Sequence, residues 1–223
     1  MSGELRIHGS LRPPLIARDS GPGTRWLLFL QGCARPCTDR CLNPHYLDPR
    51  GGRLVTLEEL RVVAGQLAAG ACGRVEGLTL LGGEPTDQAP ALLPLLALVR
   101  ALGLSVMLYS GHPLAWFQRR ENAAALALLD HVDILVDGPF LPHLAAPGLR
   151  WRGSSNQRIL RLGDRYTAAE LETEQAQVGV TVTLRGSGPP TFSGLQQRAA
   201  AAAVEAIVEG HAAAARAGEE TSS

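Results

Sequence analysis

The chain has 223 residues, 45% of them hydrophobic, enough to bury one substantial core and carry a short extra segment. Its 21 basic and 21 acidic side chains cancel, so no basic excess points to nucleic acid and no acidic excess to a solvating tail. Every basic residue is Arg, a compositional trait from which no chemistry is read.

The opening MSGELRIHGS has neither the basic patch nor the apolar run of a secretory signal, which makes the cytoplasm the expected compartment. The apolar stretch 91–99 is far too short to span a bilayer and is followed by Arg100, so no membrane partner is expected. Residues 5–8 read as a short strand. After the Pro/Gly-rich DSGPGTR, the apolar run 26–30 reads as a buried strand. A cysteine-rich loop follows. Residues 56–69 then read as a helix: Thr56 with Glu59 makes a capping box, and Leu57, Leu60, Val63 and Leu67 share a face.

The pattern then alternates. Strand 77–81, helix 89–102, strand 105–110, helix 113–129 and strand 132–136 follow one another, with further strands at 158–162 and 178–184. Such alternation predicts an α/β fold in which parallel strands are covered by helices. The Ala-rich stretch 195–216 is a helix by propensity, but its small side chains bury little, so it is read as a helical appendage. The expected division is an α/β domain over 1–190 and an Ala-rich helix with a tail over 191–223.

In parallel βα architectures ligands bind at the carboxyl ends of the strands. The loops expected there are the cysteine loop, Gly82 to Pro85, Ser110 with Gly111, and Asp137 with Gly138. Three of the four cysteines, Cys33, Cys37 and Cys41, fall in the first of these. In a reducing compartment such clustering points to metal or redox chemistry rather than to disulfides. Cys72 follows the helix that leads away from this mouth and is read as a small buried hydrophobe. A cubane iron–sulfur cluster takes one thiolate per iron, so three cysteines would leave one iron open. A zinc site closed by His45, which continues the same spacing, is the competing reading.

Six motifs then bear on the choice. GPGTR (21–25), FLQGC (29–33), GGEP (82–85), LYSG (108–111), DILVDGPF (133–140) and WRGSSNQ (151–157) occur in this order. With them the chain resembles the radical S-adenosylmethionine (SAM) superfamily. Within it, the resemblance is to the small glycyl-radical-enzyme activating proteins of the anaerobic ribonucleotide reductase type, over about residues 20–162. The resemblance implies an open, partial parallel β/α barrel. It implies a 4Fe-4S cluster on Cys33, Cys37 and Cys41, serving as metal ligands and as the catalytic centre, with SAM on the open iron. Gly82, Gly83, Glu84 and Pro85 would lie against SAM, with Ser110 and Asp137 nearby; a cap or turn role is the alternative for the last two.

The implied activity is reductive cleavage of SAM to a 5'-deoxyadenosyl radical, which installs a glycyl radical on a partner such as the anaerobic ribonucleotide reductase. Flavodoxin or ferredoxin would donate the electron. The first motif departs from the family's usual Cys-x3-Cys-x2-Cys by one extra residue between Cys37 and Cys41. Arg40 stands where a bulky apolar side chain covers adenine. The alternatives are a radical SAM enzyme acting on a peptide or small metabolite, and a non-enzymatic zinc or iron–sulfur protein.

Overall fold

The computed structural model describes residues 3–34, 37–39, 41–146, 148–172, 181–183 and 191–193. The expected strand 178–184 lies partly outside them, and the expected helix 195–216 wholly so.

The element order begins with β1 (Glu4–Ile7), β2 (Leu15–Ala17), β3 (Arg25–Leu30), β4 (Arg53–Thr56) and α1 (Leu57–Ala68). It continues with β5 (Gly77–Gly82), α2 (Ala89–Ala101), β6 (Ser105–Ser110), α3 (Leu114–Phe117), α4 (Ala123–Leu129), β7 (Ile134–Asp137), β8 (Arg158–Arg161) and α5 (Ala168–Glu172). A separate small hairpin pairs β9 (Thr181–Thr183) with β10 (Thr191–Ser193). No helix among the described residues is long and apolar enough to cross a membrane.

Four parallel strands, β3, β5, β6 and β7, form the centre of the main sheet. Its order is β4-β1-β3-β5-β6-β7-β8, with β2 pairing the start of β3. Parallel strands buried on both faces should read as unbroken apolar runs, and Trp26 to Leu30 is such a run. The edges differ from the expected pattern. β1, β2, β4 and β8 all pair antiparallel, and β2 and β4, three and four residues long, are too short to show a strand's period in sequence.

The two faces of the sheet are unlike. Trp26, Leu28, Leu30, Leu78, Leu80, Val106, Leu108 and Leu135 point to the helix-covered side, where they meet Leu60, Val63 and Leu67 of α1 and Leu92, Leu95, Leu96 and Val99 of α2. Each fully buried Leu there contributes roughly 1.5–3 kcal/mol. The alternate residues form two smaller clusters on the other side: Leu27 and Phe29 with Leu15, and Met107, Ile134 and Val136 with Trp151 and Leu171. Residues 151–171 therefore fold back across the face that carries no main helix.

The capping box expected at α1 is present: the Glu59 N–H donates to Thr56 Oγ1 at 3.2 Å, and the Thr56 N–H to Glu59 Oε2 at 2.8 Å. The expected helix 113–129 is two helices separated by a 3-10 turn at Arg120–Asn122. The polar run QRREN offers no apolar face to bury, and Asn122 Nδ2 donates to the Trp116 carbonyl at 2.6 Å, giving the backbone a competing partner. Cys72 corrects another expectation: it is exposed, in the turn that precedes β5.

Candidate functional site

The carboxyl ends of β3, β5, β6 and β7 converge, as parallel strands require, and their loops are bonded to one another. The cysteine loop leaves β3 through Gln31 and Gly32. The GGEP loop leaves β5 and sits directly on it: the Gly83 N–H donates to the Leu30 carbonyl at 2.8 Å and the Glu84 N–H to the Gly32 carbonyl at 2.9 Å. This approach requires the glycines. Gly82 has φ +112°, and a Cβ on Gly83 would lie 1.9 Å from the Gly32 oxygen. A third tie runs from the Ala34 N–H to Asp87 Oδ2 at 2.7 Å.

Glu84 is 5% exposed and its carboxylate is fully engaged. Oε1 accepts from the Thr86 N–H at 3.0 Å and the Thr86 hydroxyl at 2.8 Å, while Oε2 accepts from the Gly111 N–H at 2.9 Å. The Ser110 hydroxyl lies between them, 3.1 and 3.2 Å from the two oxygens. Ser110 in turn accepts the His112 N–H at 3.0 Å. Burial pushes the Glu84 carboxyl up, and the N–H groups of Thr86 and Gly111 pull the other way. Glu84 thus clamps the loop after β5 to the loop after β6. Pro85 is buried at the first position of the short 3-10 helix that follows.

Asp137 ends β7 and is 0% exposed. Its Oδ2 accepts the Leu114 N–H at 2.7 Å, which caps the start of α3, and its Oδ1 accepts Arg158 Nε at 2.9 Å. A second Arg158 donor completes the pair, and the pairing raises the Arg158 pKa. At the same rim the His112 and Trp116 rings stack with centroids 3.7 Å apart.

WRGSSNQ, which sequence reasoning placed nowhere in the fold, docks on the loop after β7. Gln157 Nε2 donates to the Gly138 carbonyl at 3.0 Å, Asn156 Nδ2 to the Pro139 carbonyl at 2.7 Å, and the Leu141 N–H to Ser154 Oγ at 3.1 Å. A Cβ on Gly153 would lie 2.8 Å from both Leu42 and Phe140, so the residue after Cys41 reaches this unit too.

The three clustered cysteines are all thiols on the β3 loop. A Cβ on Gly111 would lie 3.0 Å from Cys37 Sγ and 3.6 Å from Glu84 Oε2, so Cys37 reaches the end of β6 because Gly111 has no side chain. The Asn43 N–H donates to Cys41 Sγ at 3.4 Å. Among the described residues no three His, Cys, Asp or Glu side chains converge closely enough to hold a metal ion, and His45 is exposed. The donor set nonetheless fits an iron–sulfur cluster: soft thiols, one loop, one of them already at the neighbouring strand end, and a backbone N–H directed at another sulfur.

Sequence reasoning missed the residues that lock these loops together. Gln88 donates to the carbonyls of Arg6 and Gln31 at 2.9 and 3.1 Å, and accepts the Arg6 N–H at 2.8 Å. Only its place three residues after the GGEP motif's glutamate-proline pair hinted at it.

A family model described as a 4Fe-4S single cluster domain matches residues 20–160. The chain is similar to the anaerobic ribonucleoside-triphosphate reductase-activating protein of Vibrio cholerae serotype O1, at 36% identity over 146 residues, 64% of this chain and 90% of the relative. It is similar to the protein of that name from Escherichia coli K12, at 33% over 147 residues, 64% of this chain and 92% of the relative. The counterpart of Enterobacteria phage T4 is 31% identical over 144 residues, 63% of this chain and 85% of the relative.

Proposed function

The chain belongs to the 4Fe-4S single cluster domain family, and on that premise we propose that it is a radical SAM enzyme that activates an anaerobic ribonucleotide reductase. The observation that carries the reading is the match over 20–160 together with three thiols on the loop after β3, one of them against the end of β6. When bound, a cluster and SAM supply reductive cleavage of the sulfonium C5'–S bond, giving methionine and a 5'-deoxyadenosyl radical that takes a hydrogen atom from a glycine Cα of the partner.

The chain's own part is to bind and orient. Cys33, Cys37 and Cys41 would hold the cluster. The loop Gly82 to Pro85 and the loop after β6 would contact SAM. Glu84 sets that pocket by joining the two loops, since its oxygens are occupied by Thr86, Ser110 and Gly111. Asp137 acts the same way, fixing the start of α3 and Arg158. The sheet is the open, partial barrel of this superfamily, with the face that carries no main helix inside. Flavodoxin or ferredoxin supplies the electron, and the cytoplasm is the compartment.

The test is anaerobic reconstitution with iron and sulfide, followed by SAM and a reductant, with Cys33→Ala as control. Four irons per chain, 5'-deoxyadenosine release that the control lacks, and a glycyl radical in an added reductase by electron paramagnetic resonance are expected. Zinc without iron, or a cluster that never cleaves SAM, overturns the reading; cleavage without a glycyl radical moves it to a peptide or small-metabolite substrate.

A further inference from the structure

One buried side chain at the base of the cysteine loop has no part in the function above. Gln31 is 3% exposed. Its Nε2 donates to the His45 carbonyl at 3.0 Å and the Asp48 carbonyl at 2.8 Å, both on the chain returning from the cysteines. Carbonyl groups accept only, so the amide must face them with its NH2, and Oε1 is left facing His8 Nδ1 at 3.0 Å. His8 then carries hydrogen on Nδ1. The backbone beside Gln31 makes two more ties to the same returning segment: Gly32 N–H to the Tyr46 carbonyl at 2.7 Å, and Cys33 N–H to the Leu47 carbonyl at 3.1 Å.

The surroundings are shaped for this amide. A Cβ on Gly51 would lie 2.7 Å from Gln31 Nε2, and one on Gly52 would lie 3.0 Å from the Gln31 Cβ and Cγ and 2.3 Å from the Ile7 oxygen. The Gly-Gly pair that opens β4 is thus the hole in which Gln31 sits. The returning segment is anchored by Tyr46, whose ring lies 4.6 Å from that of His8 and 5.1 Å from that of Phe29, centroid to centroid. Gln31 is itself held at both ends, its N–H donating to the Arg6 carbonyl at 2.9 Å and its carbonyl accepting from Gln88.

We infer that Gln31 is a positioning residue for the metal centre: with Gly51 and Gly52 it closes the neck of the cysteine loop, so that Cys33 and the segment after Cys41 start from fixed places. The inference rests on the reading of this loop as the cluster ligand. Gathering three thiolates of one loop onto a cluster costs conformational entropy, and a loop whose ends are already joined loses less of it in doing so. Gln31 touches no sulfur in this role; it acts through the backbone on either side of the three cysteines.

The experiment compares wild type, Gln31→Met and Gly51→Ala after anaerobic reconstitution. Gln31→Met keeps the length of the side chain and removes its hydrogen bonds. Gly51→Ala leaves the amide in place and pushes on it. The readouts are iron and sulfide per chain, the rate at which a ferrous chelator strips the iron, the resonance spectrum of the reduced cluster, and melting of the metal-free protein. Both variants should lose iron about ten- to a hundredfold faster than wild type, with altered spectra, as removal of a ligand's supporting contact does at other metal sites. The metal-free melting temperature should move far less in proportion. Wild-type stripping rates and spectra in both variants overturn the inference. If Gln31→Met does not fold, Gly51→Ala decides by the same two readouts. A wild-type chain that takes up no iron overturns the cluster reading itself, whereas a wild-type cluster indifferent to Gln31 overturns this inference alone.

Discussion

Gly77 and Arg25 form a coupled pair at the end of the sheet remote from the cysteine loop, and the coupling can be measured. Arg25 is 0% exposed, and burial depresses its pKa. Its five hydrogens go to Thr79 Oγ1 at 3.0 Å, Ser105 Oγ, Tyr166 Oη at 3.5 Å, the Leu78 carbonyl at 2.6 Å and the Ser105 carbonyl at 3.4 Å. A single guanidinium therefore joins β3, β5 and β6 to the segment that folds back across them. A Cβ on Gly77 would lie 2.0 Å from Arg25 Nη1 and 2.2 Å from Ser105 Oγ. Gly77→Ala must displace the guanidinium, and overpacking with the lost hydrogen bonds should cost about 3 kcal/mol.

Arg25→Met removes the obstacle. It leaves Thr79 its bond to the Ser20 carbonyl, and Ser105 its bonds to Glu76 and Tyr166, so the groups that lose their donor are the Leu78 and Ser105 carbonyls. Relief of a buried cation whose hydrogen-bond partners are all neutral offsets part of that loss, for a net cost of about 2 kcal/mol. In the double variant the methyl group finds space, and the total should be about 3 rather than about 5 kcal/mol, a coupling of about 2 kcal/mol. Urea unfolding of the metal-free protein reads this as midpoint shifts at unchanged slope. Additivity to within about 0.5 kcal/mol, or a neutral Gly77→Ala, would refute the account.

Three further outcomes follow from the same geometry. Gly83→Ala places a methyl group 1.9 Å from the Gly32 oxygen, a backbone atom that cannot step aside, and should cost about 3 kcal/mol in urea unfolding while lowering iron retention after reconstitution. Cys72→Ser should leave iron and sulfide per chain unchanged, because Cys72 is exposed in the turn before β5; loss of iron would show that it is a ligand. Thr56→Ala should cost about 1 kcal/mol at neutral pH through loss of the helix cap. The Thr56 N–H and hydroxyl hold the Glu59 carboxyl below its ordinary value of 4.5, so the folded value lies beneath the unfolded one. Thr56→Ala keeps the N–H and loses only the hydroxyl, so the hydroxyl's part of this hold, present above pH 4.5 and fading as the pH falls through the lower folded value, is what should narrow the gap between wild type and variant in acid.

What the sequence determined by itself was everything encoded over short range. The apolar runs placed the central strands to within a residue or two, Thr56 with Glu59 placed the start of α1, and the ordered motifs named the loops that meet at the strand ends. Those signals are local, set by period and by the few residue types that cap or turn a chain. Tertiary structure decided what each polar side chain in those loops does. Glu84 and Asp137 were legible as members of motifs, yet their oxygens are directed to Gly111, Leu114 and Arg158 by strand neighbours far away in sequence. The antiparallel edges, the break between α3 and α4 and the exposure of Cys72 depend on what lies alongside, which no window reveals. Gln31 shows the division most clearly. Its place beside Cys33 was in plain view, but its hydrogen bonds run to residues 8, 45 and 48, and the room for its amide is made by the missing side chains of Gly51 and Gly52. A hydrogen-bonding group in a buried site is assigned by its partners, and only the folded chain brings those partners together.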